Sequence, residues 1–174
     1  MFYALQIDSN GNGIGAHTYV EEPSTYPSNE VPCTQAQAQN PTLYQVVGGQ
    51  IVESLTAAQS AQIALLQSSA QKAEQAPVSL TLASGITTSF GMTPHDWTKI
   101  VGLYSKYVAK GTALPSGYQI PDVNGVLQAV TVTDIENLFN GGETQMTGAI
   151  AKLASLVGEV QAATTVSAVQ AIVW

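Results

Sequence analysis

The chain of 174 residues carries five lysines, no arginine and twelve acidic side chains, which gives a formal net charge of −7. Charged residues make up 10% of it, against the ~25% usual for soluble domains. Nucleic-acid binding needs a basic face that neutralises phosphates, and this composition excludes one. Anionic membrane surfaces are poor partners for the same reason. The hydrophobic fraction of 45% is large enough for a folded core.

Neither a disulfide nor a membrane anchor is predicted. The single cysteine, Cys33, has no partner for a bridge within the chain. The N-terminal sequence MFYALQIDSN lacks the regions of a secretory signal, and no stretch approaches the ~20 apolar residues of a membrane span. We therefore expect a soluble protein made in a cytoplasm. Its surface, rich in Ala, Gln, Ser and Thr, desolvates few ions on close packing, which favours a subunit of an assembly.

Residues 1–54 are predicted to form a small β module. The apolar runs FYALQI and IGAHTYV flank the turn-forming sequence DSNGNG, and LYQVV and QIVE flank two glycines, which is typical of a hairpin. Four prolines make residues 23–41 too broken for a helix. Such short strands need a partner surface to bury their apolar face, so we do not expect an independent domain here.

Residues 55–76 are predicted to form a connecting amphipathic helix. Thr56 and Gln59 match a capping box, and Pro77 stops the helix. One narrow apolar stripe recurs every three or four positions: Ile63, Leu66, Ala70 and Ala73. Its small alanines favour close packing against another helix, which belongs either to a second copy or to the C-terminal domain.

Residues 77–174 are predicted to form a compact α+β domain. It begins with a strand near residues 78–83. Thr93 and Pro94 are typical of a helix start, and Gly111 ends that helix.

The rest of this domain is predicted to contain two strands around the turn DVNG and then two helices. Thr133 and Glu136 match a second capping box on a short helix that stops at two glycines, and a long last helix covers residues 143–163. The long helix carries one apolar stripe: Met146, Ile150, Leu153, Val157 and Val160. Such a stripe is either the core face of a globular helix or a subunit contact. No internal repeat is found.

Two glycine-rich patterns near the N-terminus match ligand sites only in part. GNGIGA fits the loose dinucleotide pattern G-x-G-x-x-A, but HTYV follows where a helix is required. Asp8, Asn10 and Asn12 match the first half of a calcium loop, but Tyr19 stands at the position of the closing acid. Both patterns are interpreted as turns, with a weak cation site as the alternative for the second.

Catalytic chemistry is not predicted. His95 and Asp96 lie in the first turn of a predicted helix, where an acid is favourable for the helix dipole. No nucleophile motif surrounds Cys33 or any serine, and His17 has no identifiable partner. One cysteine and two distant histidines do not define a metal site, so we expect no metal and no cofactor.

The C-terminal segments carry a family resemblance. VSLTLASGITTSF, then DVNGVLQAVTVTDIENL, then a long amphipathic helix and the closing QAATTVSAVQAIVW resemble a domain of uncharacterised function found in bacteriophage tail-fibre and tail-fibre-assembly proteins. TLYQVVGGQIVES is similar to the aromatic–glycine–strand segment that these proteins place before a Gln/Ala-rich helix. The resemblance covers residues 43–174 and rests on the order and spacing of elements.

This resemblance implies a non-enzymatic component of a phage tail. It would be a structural subunit or an assembly protein of a tail fibre or baseplate, located in the virion tail and, during assembly, in the host cytoplasm. Its expected partners are fibre or baseplate proteins and further copies of itself. The alternative is a host-surface module that binds a receptor glycan. The two stripes supply the candidate contact residues: Ile63, Leu66, Ala70, Met146, Ile150, Leu153 and Val157.

Overall fold

The computed structural model describes all residues from Met1 to Trp174 and confirms the predicted α+β class, with 47% of residues in helices and 23% in strands. The nine strands are β1 Phe2–Ile7, β2 Gly13–Tyr19, β3 Glu30–Cys33, β4 Tyr44–Val47, β5 Gln50–Glu53, β6 Val78–Thr81, β7 Thr87–Phe90, β8 Gln119–Pro121 and β9 Leu127–Ala129. The five α-helices are α1 Gln35–Gln39, α2 Leu55–Glu74, α3 Pro94–Leu103, α4 Val132–Ala162 and α5 Val166–Ala171. The long helix near the C-terminus is therefore confirmed as well.

The chain divides into two compact units. The first unit is Met1–Leu66 with Leu156–Val173, and the second unit is Gln67–Ser155 with Trp174. Helices α2 and α4 therefore contribute residues to both units. This division differs from the predicted boundaries after residues 54 and 76, because the C-terminal segment belongs with the first unit.

Three antiparallel strands in the order β2-β1-β3 form the sheet of the first unit. The β1–β2 turn lies at DSNGNG, as predicted, and Gly11 there has a φ of +83° that other residues rarely adopt. The second predicted hairpin is also confirmed: β4 and β5 pair through Gly48 and Gly49, whose φ angles are +58° and +81°. Positive φ at both central residues matches the twist of the strands.

The prediction that residues 23–41 hold no helix is wrong. The short helix α1 follows β3, and a complete capping box holds its start. The Gln37 backbone N–H donates to the Thr34 hydroxyl at 3.3 Å, and the Thr34 N–H donates to the Gln37 side chain at 2.9 Å. Five residues between prolines are enough for one turn once both orphan donors have acceptors.

The predicted capping box at the start of α2 is also wrong. The hydroxyl of Ser54, not that of Thr56, accepts a free N–H of the first turn, from Ala57 at 3.3 Å. The Gln59 amide instead donates to the carbonyl oxygen of Val160 at 3.1 Å. Gln59 therefore ties the C-terminal segment to α2 within the first unit.

The second unit contains the same hairpin-and-helix arrangement twice, which contradicts the expectation of no internal repeat. In β6–β7 the Leu82 N–H donates to the Ile86 carbonyl at 2.8 Å, and in β8–β9 the Asp122 N–H donates to the Val126 carbonyl at 2.9 Å. The fourth residue of each turn is a glycine with φ near +80°. Each hairpin then leads into a helix, α3 or α4.

Both helices begin with a threonine followed three residues later by an aspartate. Thr93 caps α3 as predicted, and its hydroxyl accepts the Asp96 N–H at 3.3 Å. The start of α4 differs from the prediction: Thr131 accepts the Asp134 N–H at 3.1 Å, so the capping pair lies two residues before Thr133. The repeat is hidden in the sequence because two residues separate β7 from its threonine, but only one separates β9 from its own.

Helix α4 is continuous through the two glycines at which the sequence predicts a break. A Cβ on Gly142 would lie 2.5 Å from the ring of Trp97, and one on Gly141 would lie 3.0 Å from Val78. These glycines therefore let other side chains approach the helix backbone, and they do not terminate it. After this helix, Thr165 caps the short helix α5, because its hydroxyl accepts the Ala168 N–H at 3.1 Å.

One cluster of buried side chains forms the core of the second unit. It comes from both hairpins and both helices of the repeat: Leu82, Phe90, Met92, Ile100, Tyr107, Val130, Ile135 and Leu138. A π-helical turn at Tyr104–Ala109 extends α3 and carries Tyr107 into this cluster. No helix of the chain is both long enough and apolar enough to cross a membrane.

Candidate functional site: an apolar cleft in the first unit

The predicted stripe on α2 lies mostly inside the protein. Leu66 and Ala70 are each only 2% exposed, and Ile63 is half-buried. A side chain that the chain itself covers presents no surface to a partner. Leu66 and Ala70 therefore belong to the interior.

The predicted stripe on α4 divides between the surface and the interior. Ile150 is 58% exposed, whereas Val160 is fully buried. Three further members of the stripe are half-buried: Met146, Leu153 and Val157. From Gly142 to the C-terminal end of the helix, the buried positions are Gly142, Ala149 and Val160, and only Val160 among them belongs to the stripe. Ile150 is thus the stripe residue that a partner reaches most readily.

An apolar cleft of about 290 Å³ lies in the first unit between the β4–β5 hairpin, α2 and α5. Leu65, which lies outside the predicted stripe, is 62% exposed and lines the cleft, and Leu43 is 41% exposed on the hairpin side. Tyr44 and Val166 complete the apolar lining, and the polar side chains include Glu53. Exposed apolar surface with a polar rim is the usual form of a protein contact site.

Hydrogen bonds hold the walls of this cleft in place. The Ser54 N–H donates to the Leu43 carbonyl at 2.8 Å, and the Ser54 hydroxyl caps α2, so the hairpin and the helix meet at a single residue. On the other side, the Gln62 amide donates to the Ile172 carbonyl at 2.6 Å. A cleft with fixed walls loses little conformational entropy when it is filled.

A buried carboxylate joins two side chains on the sheet of the first unit. Glu30 accepts a hydrogen bond of 2.5 Å from the Tyr19 hydroxyl, and its other oxygen lies 2.5 Å from Nδ1 of His17. The hydrogen bond to Glu30 raises the pKa of Tyr19, and burial adds to the effect. The Glu30 carboxylate therefore orients the side chains of His17 and Tyr19 on the sheet.

The Asp8 turn uses its carboxylate oxygens within the protein. Oδ1 accepts the N–H groups of Asn10 and Asn12 at 2.8 and 2.9 Å, and Oδ2 accepts the Asn12 side-chain amide at 2.9 Å. The Asn12 side chain first, and then the backbone donors, lower the pKa of Asp8. This is the predicted Asn/Gly turn, and strand β2 follows it where a dinucleotide site requires a helix.

Asp122 has the same role in the second unit and more donors. Burial raises the pKa of Asp122, but the hydrogen bonds from Val126, Thr88, Asn124 and Gln128 outweigh burial and lower it. Among these, the Thr88 hydroxyl donates to Oδ2 at 2.9 Å. The Asp122 carboxylate therefore ties the β8–β9 hairpin to strand β7 of the β6–β7 hairpin.

The remaining reactive residues do not form a common site. Asp96 accepts the Thr93 hydroxyl at 2.6 Å and belongs to the cap of α3, while His95 is exposed. Cys33 is half-buried, and burial raises the pKa of its thiol, which disfavours the reactive thiolate. No group of three or more His, Cys, Asp or Glu side chains is placed to hold a metal ion.

Comparison with known proteins found no match to the chain among family models, curated proteins or solved structures.

Proposed function

We propose that the chain is a non-enzymatic component of a bacteriophage tail, a structural subunit or assembly protein of a tail fibre or baseplate that works through protein–protein contacts. The observation that carries the proposal is the apolar cleft of the first unit, with Leu65 and Leu43 exposed on its walls. The order of elements over residues 43–174, which resembles tail-fibre and tail-fibre-assembly proteins, supports the choice of partner.

The charges of the first unit favour association through buried area and shape. Six of the twelve acidic residues lie in this unit, and none of the five lysines does. Attraction to an acidic partner is therefore absent, and the cleft lining is chiefly apolar. Contact of this kind gains its free energy from the removal of apolar surface from water, at about 25 cal/mol per Å².

The arrangement of the aromatic rings favours this proposal over the binding of a receptor glycan. Phe139 stacks between Trp97 and Tyr104, with ring centroids 5.3 and 4.0 Å away. These three rings pack against the core cluster. Of the aromatic side chains, Phe2 is classed as exposed, at 38%, and all the others are half-buried or buried.

Co-expression with the fibre and baseplate proteins encoded beside the chain tests the proposal. We expect the wild type to co-elute with at least one of them in size-exclusion chromatography, at a mass by light scattering that contains both proteins. Leu65→Glu places a charge in the cleft and is expected to abolish co-elution.

Ala64→Glu is the matched control, because Ala64 is exposed on the same helix and does not line the cleft. Both variants change exposed positions and should keep the wild-type far-ultraviolet spectrum. A wild type that stays monomeric and binds none of the proteins offered would contradict the proposal, and so would a Leu65→Glu variant that co-elutes as the wild type does. Binding to a host-surface glycan in place of these proteins would favour the receptor-binding alternative.

A further inference from the structure

A larger cleft lies in the second unit, beside the core cluster. Its volume is about 450 Å³, within the ~300–1,000 Å³ range of small-molecule sites. Its apolar lining comes from α3, the π-helical turn, the strands and α4: Phe90, Ile100, Leu103, Tyr107, Tyr118 and Leu138. Four of these side chains are buried core residues, so the floor of the cleft is fixed by the fold.

Two lysines line this cleft, although the chain has only five. Lys99 and Lys106 are both exposed, and neither side-chain ammonium group forms a hydrogen bond or an ion pair within the chain. The ammonium group of Lys106 lies 5.0 Å from the centroid of the Tyr107 ring. The cleft also contains Asp96, whose Oδ2 accepts the Thr93 hydroxyl at 2.6 Å in the cap of α3.

We propose that this cleft binds a small amphipathic carboxylate, with the apolar part of the ligand against Tyr107 and Tyr118 and its carboxylate between Lys99 and Lys106. The site lies in the second unit and is independent of the contact proposed for the first. Its chemistry combines an apolar floor, which takes an aromatic or acyl group, with two cations that have no carboxylate partner within the chain. A single carboxylate matches them better than a polyanion, because Asp96 leaves the lining with a net charge of only one positive unit.

Two probes of the same shape separate the charge from the apolar contribution. Phenylbutanoate carries the carboxylate, and phenylbutanamide replaces it with a neutral amide. We expect the carboxylate to bind roughly two- to fivefold more tightly in titration calorimetry, and we expect this preference to vanish at high salt. Amide shifts in nuclear magnetic resonance should centre on Tyr107 and Tyr118 for both probes.

A glycine on the cleft wall provides a variant that fills the site without disturbing the core. Gly102 lines the cleft on α3, and a Cβ there meets no atom within 4 Å. Gly102→Leu should lower the affinity for both probes by at least about tenfold. The melting temperature should stay the same or rise, since glycine is unfavourable inside a helix. Gly148→Leu is the control, because Gly148 on α4 has equally open space and does not line the cleft.

The lysines are tested by the double substitution Lys99→Gln with Lys106→Gln, with Lys72→Gln as the exposed control outside the cleft. The double variant should bind phenylbutanoate and phenylbutanamide equally, and the control should keep the wild-type preference. Equal affinity of the two probes for the wild type would overturn the proposal. Amide shifts outside the cleft would also overturn it, and so would a Gly102→Leu variant that binds as tightly as Gly148→Leu.

Discussion

The two units of the chain hold together in different ways. Ten apolar residues are buried in the second unit, Phe90 and Tyr107 among them, whereas the first unit buries five, none of them aromatic: Ala4, Leu5, Leu66, Val160 and Val169. The second unit has all five lysines, and the first has none. The first unit therefore depends on a few side chains and on backbone pairing, and its outer surface keeps apolar groups such as Leu65 exposed.

This difference suggests a division of tasks. A unit with a large interior keeps its own geometry and can hold a cleft with a fixed floor. A unit with a small interior gains more from covering by a partner, because each additional buried apolar group is a larger share of its total. The contact proposed for the first unit follows from that comparison.

The largest expected effect separates two neighbouring leucines on α2. Leu66→Glu puts an unpaired charge into the interior and should lower the free energy of unfolding by about 3–5 kcal/mol. Leu65→Glu, at a position that is 62% exposed, should change it by less than about 1 kcal/mol. Urea unfolding followed by circular dichroism measures both. Equal destabilisation would mean that both leucines support the fold and would remove the basis for the contact site.

The next effect compares the two helix caps of the repeat in the second unit. Asp134 is 3% exposed and accepts the Ala83 N–H at 2.9 Å and the Thr131 N–H at 2.8 Å. Asp134→Ala leaves these donors without a partner and should cost about 2–4 kcal/mol of unfolding free energy. Asp96→Ala removes an outer cap bond and should cost about 1 kcal/mol. Equal losses of unfolding free energy for the two variants in urea would contradict the role of Asp134 in joining the β6–β7 hairpin to α4.

Alanine substitutions at two glycines of α4 are expected to have smaller effects on the free energy of unfolding, and the two effects have opposite signs. Gly142→Ala brings a methyl group against the Trp97 ring and should lower the free energy of unfolding by about 1–3 kcal/mol. Gly148→Ala meets open space and should raise it by about 0.5–1 kcal/mol through helix propensity. Thermal unfolding of both variants checks the signs. A stabilising Gly142→Ala would show that α4 does not approach the tryptophan closely.

The smallest effect is a dependence on pH at the two matching turns. The pKa of Asp122 and that of Asp8 both lie below the ordinary 3.8 in the folded protein. Each carboxylate therefore adds stability that is fully present above about pH 4 and is lost as the pH falls through the folded-state pKa. Asp122→Asn should remove more of the acid dependence of unfolding than Asp8→Asn, because Thr88 and Gln128 also donate to Asp122. Identical acid profiles for the two variants would contradict this ranking.

Local chemistry made several strands and turns predictable, but not β3 or β7. The hairpins at DSNGNG and at the two glycines follow from residues that accept positive φ, and the start of α3 follows from Thr93 and Pro94. The capping boxes at Thr56 and Thr133 were wrong because Ser54 and Thr131, two residues earlier, carry a competing hydroxyl. Sequence alone does not rank two such hydroxyls, since tertiary packing decides where the first turn begins.

Contacts distant in sequence were beyond prediction. At the two glycines where the sequence predicts a break in the helix, the helix continues, and Trp97, more than forty residues away along the chain, packs against Gly142. The partner of His17 is Glu30, brought to the same face of the sheet by a strand that lies between theirs. The sequence offers one signal for the cleft, the adjacent leucines Leu65 and Leu66 of α2. Adjacent helical residues do not share a face, so when one of them is buried the other lies on a different side of the helix.

The central measurement is the affinity for the fibre or baseplate protein that we propose as the partner, compared between the Leu65→Glu and Ala64→Glu variants. Both substitutions add the same charge at exposed positions of the same helix, one residue apart. We predict that Leu65→Glu weakens binding by at least about tenfold, as expected for an apolar anchor in a contact, while Ala64→Glu stays within about twofold of the wild type. Equal affinities for the two variants would contradict the contact proposal.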